Sequence, residues 1–200
     1  MDATIIHTLG DSHAEFTFKR VRGVSWHTIG AVTMGSVGRP NGYISLDAYL
    51  ERYNITEDNI VILCFGEIDV RCHIKNRIEN GEFLIDIVKS LVDNYLNTVQ
   101  LSNHRKYWIF SVPPPGKDRE TYHEWPYQGT DEERSEYTYQ MNLYLKWKCA
   151  EMKIPFLNVY DYYKDEKGML RDGFSPDDAH IVDPNYMYSE IRKLVSYETR

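Results

Sequence analysis

Three residues of this sequence have the types and spacing of a proton relay. Ser12 stands in Gly10-Asp11-Ser12-His13, directly after an apolar run, and His180 follows Asp177 by three positions near the other end of the chain. A hydroxyl is a weak nucleophile until a base within hydrogen-bond reach takes its proton, and that base needs a third group to fix its tautomer. Ser12 is the candidate nucleophile and His180 the candidate base. A carboxylate three positions away on a turn reaches a histidine of the same segment, which makes Asp177 the candidate orienting acid. Asp178 competes for that role, because it flanks the same histidine. Attack on a carbonyl further requires donors aimed at the developing oxyanion. The N–H of Ser12 and that of a glycine in Gly35-Ser36-Val37-Gly38 would supply them. Gly38 is preferred to Gly35, since Arg39-Pro40 beside it suggests a fixed turn. The competing structural reading of Ser12 is a helix N-cap.

These groups need elements that bring them together. Strand-like runs lie at Thr4–Leu9, Val24–Val32, Ile60–Phe65, Tyr107–Val112 and Phe156–Tyr160. The third, Ile-Val-Ile-Leu-Cys-Phe, is apolar throughout, as a strand covered on both faces of a parallel sheet must be. Leu84, Ile87, Val88, Leu91, Val92, Tyr95, Leu96 and Val99 recur at helical spacing. Thr130 with Glu133 forms a capping box, opening a helix that carries Tyr137, Met141, Tyr144, Leu145 and Met152. Asn185 to Val195 closes the chain as another helix. Strands alternating with helices predict a single α/β domain over residues 1–200, a three-layer α/β/α sandwich on a parallel sheet of about five strands. In such sheets functional groups gather beyond the carboxyl ends of the strands. Asp11 and His13 beside Ser12, and Glu67 and Asp69 after the third run, fall at such ends, with His73 just beyond. All five are candidate substrate contacts. Tyr122, Trp125 and Tyr127 fall in the loop leaving the fourth strand, where aromatic rings stack on sugar faces. Trp125 is the candidate among them.

Composition narrows the classes of partner. The chain has 23 basic and 30 acidic residues, a net charge of −7, and no basic stripe, which argues against nucleic acid. No run approaches the roughly 18–20 apolar residues of a membrane span. The start of the chain lacks a basic region followed by a long apolar one, so a cytoplasmic location is expected. Cys64, Cys72 and Cys149 form neither an even disulfide set nor a C-x-x-C pair, and read as free thiols. Cys72-His73 has no second spaced pair, so no metal is expected. The first turn lacks the second and third glycines of a dinucleotide fingerprint, and a G-x-S-x-G elbow is absent.

Taken in order, Gly10-Asp11-Ser12-His13, the glycine loop, Gly66-Glu67-Ile68-Asp69 and Asp177-x-x-His180 resemble the motif blocks of the SGNH (GDSL-type) hydrolases, across nearly the whole chain. The resemblance implies a flavodoxin-like sheet, Ser12 as nucleophile, His180 as base, Asp177 as its acid, and ester chemistry without a cofactor, often on acetylated carbohydrates. The chain departs from the family at one block. Where the family has Gly-x-Asn-Asp, with an Asn that donates to the oxyanion, this sequence has Ile68, which offers no donor. Arg71 and His73 are the nearest substitutes, and Arg71 has Glu67 or Asp69 as alternative partners. Strand-like alternation would set Asp69, Arg71 and His73 on one side, whereas a helical start would separate them. The expected function is a serine esterase of a small acyl ester, such as an O-acetyl group on a sugar. The alternatives are a glycan O-acyltransferase using the same triad and a catalytically inactive glycan-binding protein.

Overall fold

The computed structural model describes residues 5–39, 44–117, 126–177 and 179–198. Among these residues five strands, β1 (Ile6–Gly10), β2 (Val24–Thr28), β3 (Ile60–Cys64), β4 (Tyr107–Phe110) and β5 (Phe156–Leu157), pair in parallel in the order β2-β1-β3-β4-β5. The helices are α1 (Ser12–Phe16), α2 (Met34–Val37), α3 (Leu46–Arg52), α4 (Ile74–Glu79), α5 (Leu84–Leu101), α6 (Asp131–Met152), α7 (Tyr160–Tyr163) and α8 (Pro184–Glu198), with a π-helical turn at Asp69–His73. This is a three-layer α/β/α sandwich. The strand order reverses between β1 and β3, and a crevice opens there at the carboxyl ends of the strands.

Strands β1, β3 and β4 are buried at every position, because both faces are covered. Successive residues serve two cores. Leu9, Val61, Leu63 and Ile109 pack with the apolar stripe of α5 (Ile87, Val88, Leu91, Val92, Tyr95) and with Tyr137, Met141 and Leu145 of α6. Ile62, Cys64, Trp108 and Phe110 pack on the opposite side with Phe18, Tyr163, Met187 and Ile191. The Thr130–Glu133 capping box opens α6 as the sequence predicts. Asn142, in the middle of that helix, bonds both the N–H and the C=O of Val112 at 2.8 Å, completing the chain where β4 runs into prolines.

Four strands stop short of the carboxyl ends of their apolar runs, β3 by one residue, β4 by two, and β2 and β5 by more. β2 ends at Thr28, because Gly30 has φ +96° and turns the chain out of the sheet. β5 keeps only Phe156 and Leu157. The N–H groups of Val159 and Tyr160 are taken by Ser111 Oγ, at 3.0 and 3.2 Å, and Tyr160 starts α7. No helix among the described residues is long and apolar enough to cross a membrane.

Candidate active site

The turn after β1 is built by close contact between two strands. Gly10 lies opposite Cys64, and a Cβ at position 10 would sit 2.0 Å from the Cys64 carbonyl oxygen. With that space open, the Asp11 N–H donates to the same carbonyl at 3.1 Å and the chain enters α1 at once. Asp11, not Ser12, caps the helix: its Oδ1 accepts the His13 N–H at 2.9 Å. The Ser12 hydroxyl is thereby left for another partner.

That partner arrives from the far end of the sequence. Ser12 Oγ lies 2.8 Å from His180 Nε2, and His180 Nδ1 lies 2.6 Å from Asp177 Oδ2. A carboxylate only accepts, so Nδ1 carries the proton and Nε2 faces the hydroxyl as acceptor. The second oxygen of Asp177 organises its own segment, accepting from Ser175 Oγ at 3.0 Å, the Ala179 N–H at 3.1 Å and the His180 N–H at 2.9 Å. Burial works against the Asp177 charge, but the donors from His180 and Ala179 outweigh it and hold the carboxyl down at about 2. Burial, with the nearby His13, pulls His180 below 6.5 against the opposing pull of Asp177. The ring is therefore neutral, and able to accept a proton, at pH 7. Asp178 lies outside the described residues.

A pocket of about 430 Å³ opens at Ser12. Phe16, Gly30, Ala31, Ile68 and Arg71 are among the residues that line it with Ser12, His13 and the His180 segment. The loop that borders Ser12 is thus the one at Gly30-Ala31, one turn earlier than the glycine pair singled out in the sequence. Gly38 faces elsewhere. It caps α2, its N–H donates to Met34 O at 3.0 Å, and a Cβ there would meet the α5 backbone at Tyr95, 2.7 Å away. The Gly35 N–H is held by Asp69 Oδ1 at 3.1 Å. Neither glycine therefore serves Ser12. Gly30 falls inside the strand-like run Val24–Val32, so the apolar pattern alone does not mark it as the turn beside Ser12.

The π-helical turn divides the residues after β3. Arg71 points to the Ser12 pocket, where its Nε and Nη2 donate to Glu67 at 2.7 and 3.0 Å, so Glu67 and Arg71 form a two-point ion pair at the rim. Ile68 is buried in the pocket wall. Asp69 turns inward and accepts from the Met34 N–H at 2.6 Å and the Gly35 N–H at 3.1 Å, anchoring α2. Burial raises its carboxyl, against those two donors, to about 7. Asp69 and His73 line a separate groove of about 730 Å³ and do not touch the Ser12 pocket, contrary to the expectation that they contact substrate there. Asp11 is a buried helix cap outside the pocket lining, whereas His13 lines the Ser12 pocket with both ring nitrogens committed within the protein. Trp125 lies outside the described residues.

No protein-family model matches the sequence, and no curated protein matches it. Solved structures do match. A GDSL-like lipase from Bacteroides thetaiotaomicron is 18% identical, with a TM-score of 0.61 over 96% of this chain and 88% of that one. An aryl esterase from M. smegmatis is 15% identical, with a TM-score of 0.60 over 96% of this chain and all of that one. A carbohydrate acetylesterase from Sinorhizobium meliloti is 12% identical, with a TM-score of 0.57 over 98% and 99%. Likeness at this level of identity speaks to architecture, and the chain has the α/β/α fold of the GDSL-type hydrolases.

Proposed function

We propose that the protein is a serine-dependent esterase of small acyl esters, with an O-acetyl group on a carbohydrate as its substrate class. The observation that carries the reading is the continuous relay from Ser12 Oγ through His180 to Asp177, at 2.8 and 2.6 Å, at the edge of a pocket large enough for an acyl group. Ser12 attacks the ester carbonyl as His180 Nε2 takes its proton, and Asp177 stabilises the resulting imidazolium. The tetrahedral oxyanion is met by the N–H of Ser12 and by the N–H groups of the Gly30-Ala31 loop. Collapse breaks the ester C–O bond, and His180 returns its proton to the leaving alcohol. Water then repeats the sequence on the acyl-enzyme and frees the acid and Ser12. Among the structural neighbours, a carbohydrate acetylesterase and an aryl esterase support small esters as the class.

Ile68 favours a second reading, a binding protein that has kept the fold without turnover, because it leaves that side of the pocket without an amide donor. Incubation with a fluorophosphonate probe and mass mapping of the adduct decides between them. Labelling at Ser12 that disappears in His180→Ala, with acetate release from an aryl acetate that falls at least about a thousandfold in Ser12→Ala, is the expected outcome. A folded protein that carries no adduct at Ser12 under excess probe leaves the binding reading in place. Acetyl transfer to an added sugar in excess of free acetate would identify a transferase instead.

A further inference from the structure

The residue after the nucleophile is a histidine with an unusual set of partners. His13 is buried. Its Nδ1 lies 3.0 Å from Asp11 Oδ1 and its Nε2 lies 3.1 Å from the Ala179 carbonyl oxygen. Both partners are acceptors. Asp11 Oδ1 also receives the His13 main-chain N–H, so that oxygen is not offering a proton. A neutral imidazole has one donor and one acceptor nitrogen, and would set a lone pair against one of these oxygens. Only the doubly protonated ring satisfies both.

Ala179 directly precedes His180, so the bond to its carbonyl ties the segment bearing the base to the helix bearing the nucleophile. The two histidine rings lie 4.8 Å apart between centroids, and Phe16 packs against His180 at 4.5 Å. The base is thus held between an aromatic ring and a cation. Among the described residues, the other charged groups facing it are Asp177 on its own segment and Glu67 from the loop after β3, with Arg71 paired to Glu67. Lys19 and Arg20 line the adjoining cleft beside Phe16.

We propose that His13 is a positioning residue for His180: held as an imidazolium by Asp11, it pins the Ala179 carbonyl and keeps the neighbouring His180 ring in its neutral, proton-accepting form. The proposal rests on the reading of His180 as base, and two features of His13 follow from it. A donor at the Nε2 position maintains the geometry. A positive charge there disfavours a second positive charge on His180. Burial penalises the His13 charge, but Asp11, with a further contribution from Glu67 and the Ala179 carbonyl, more than compensates and raises the ring to about 9.

His13→Gln retains a donor without the charge, and His13→Leu removes both. In His13→Gln the acid limb of the pH profile for fluorophosphonate labelling of Ser12 is expected to move up by about one pH unit, with labelling above the limb within a few-fold of the parent. His13→Leu is expected to lose a further tenfold or more above the limb. An acid limb in His13→Gln that coincides with the parent overturns the proposal while leaving the esterase reading intact. Failure of the parent to label at any pH overturns the esterase reading instead. Nitrogen-15 NMR of the imidazole rings in the unmodified protein decides the proposal in either case. Both His13 nitrogens are expected in the protonated range at pH 8, with His180 titrating below 6.5, and a neutral His13 at that pH overturns it.

Discussion

The chemistry of the site depends on what each side chain has left to offer after local structure has taken its share. Asp11 takes the capping role at α1, so the Ser12 hydroxyl remains available to His180. Asp177 spends one oxygen on three donors of its own segment and the other on the ring. Asp177→Asn would keep the shape but present an amide to His180 Nδ1 and favour the wrong tautomer, so hydrolysis of an aryl acetate is expected to fall by about three orders of magnitude at pH 7 with an unchanged circular dichroism spectrum. Ile68→Asn sets an amide at the pocket wall, and an increase in kcat of about ten- to a hundredfold is expected on the same substrate. An unchanged kcat there would show that the main-chain donors already suffice. Ser12, Asp177 and His180 are legible as candidates in the sequence because each carries its chemistry in its type, with Ser12 directly after a strand and Asp177 three positions before His180. The commitments of Asp11, His13 and Asp69 were not legible. An aspartate that caps a helix and one that contacts substrate are the same letter, and only the direction of the neighbouring N–H groups separates them.

At the scale of elements, the strands and long helices followed from periodicity, whereas the short connections that aim the site did not. The segment after β3 has no periodicity to read over five residues, and a π-helical turn sends Arg71 toward Ser12 and Asp69 toward α2. The four-residue helix α2 has too few internal hydrogen bonds to hold itself, and its first N–H groups rest on Asp69. Asp69→Ala leaves those donors unpaired, one of them on the buried Met34. Unfolding in urea is expected to show a loss of about 3 kcal/mol. The loop from Gly30 to α2 would loosen with it, so KM for an aryl acetate should rise as well. Asp69→Asn, which keeps one acceptor, should lose about half as much stability. A variant Asp69→Ala as stable as the parent would mean that α2 is held by its packing on α5 alone.

For the whole molecule, the balance of buried titratable groups fixes how stability depends on pH, through the difference in protons bound by the folded and unfolded chains. His7, His27, His73, His104 and His180 are all pulled below 6.5, burial being the largest cause for each. The unfolded chain binds more protons on them, so their effect is to raise stability as pH climbs to about 6.5. Asp69, raised from 3.8 to about 7, acts in the opposite direction over that interval, because the folded chain holds its proton longer. Burial raises Cys64, Cys72 and Cys149 above 9.0, and these lower stability only where unfolded thiols ionise, near pH 9 and beyond. Among the described residues, the remaining large difference between pH 7 and 8.5 is His13, at about 9 folded against 6.5 unfolded. Its stabilisation is complete below 6.5 and is lost as pH rises through 9. One proton of difference corresponds to about 1.4 kcal/mol per pH unit, so urea denaturation should show a loss of about 2 kcal/mol between pH 7 and 8.5. His13→Gln should be nearly flat over the same interval, although less stable than the parent at pH 7. Parallel slopes for the two proteins would place the proton elsewhere and leave His13 neutral in the folded chain.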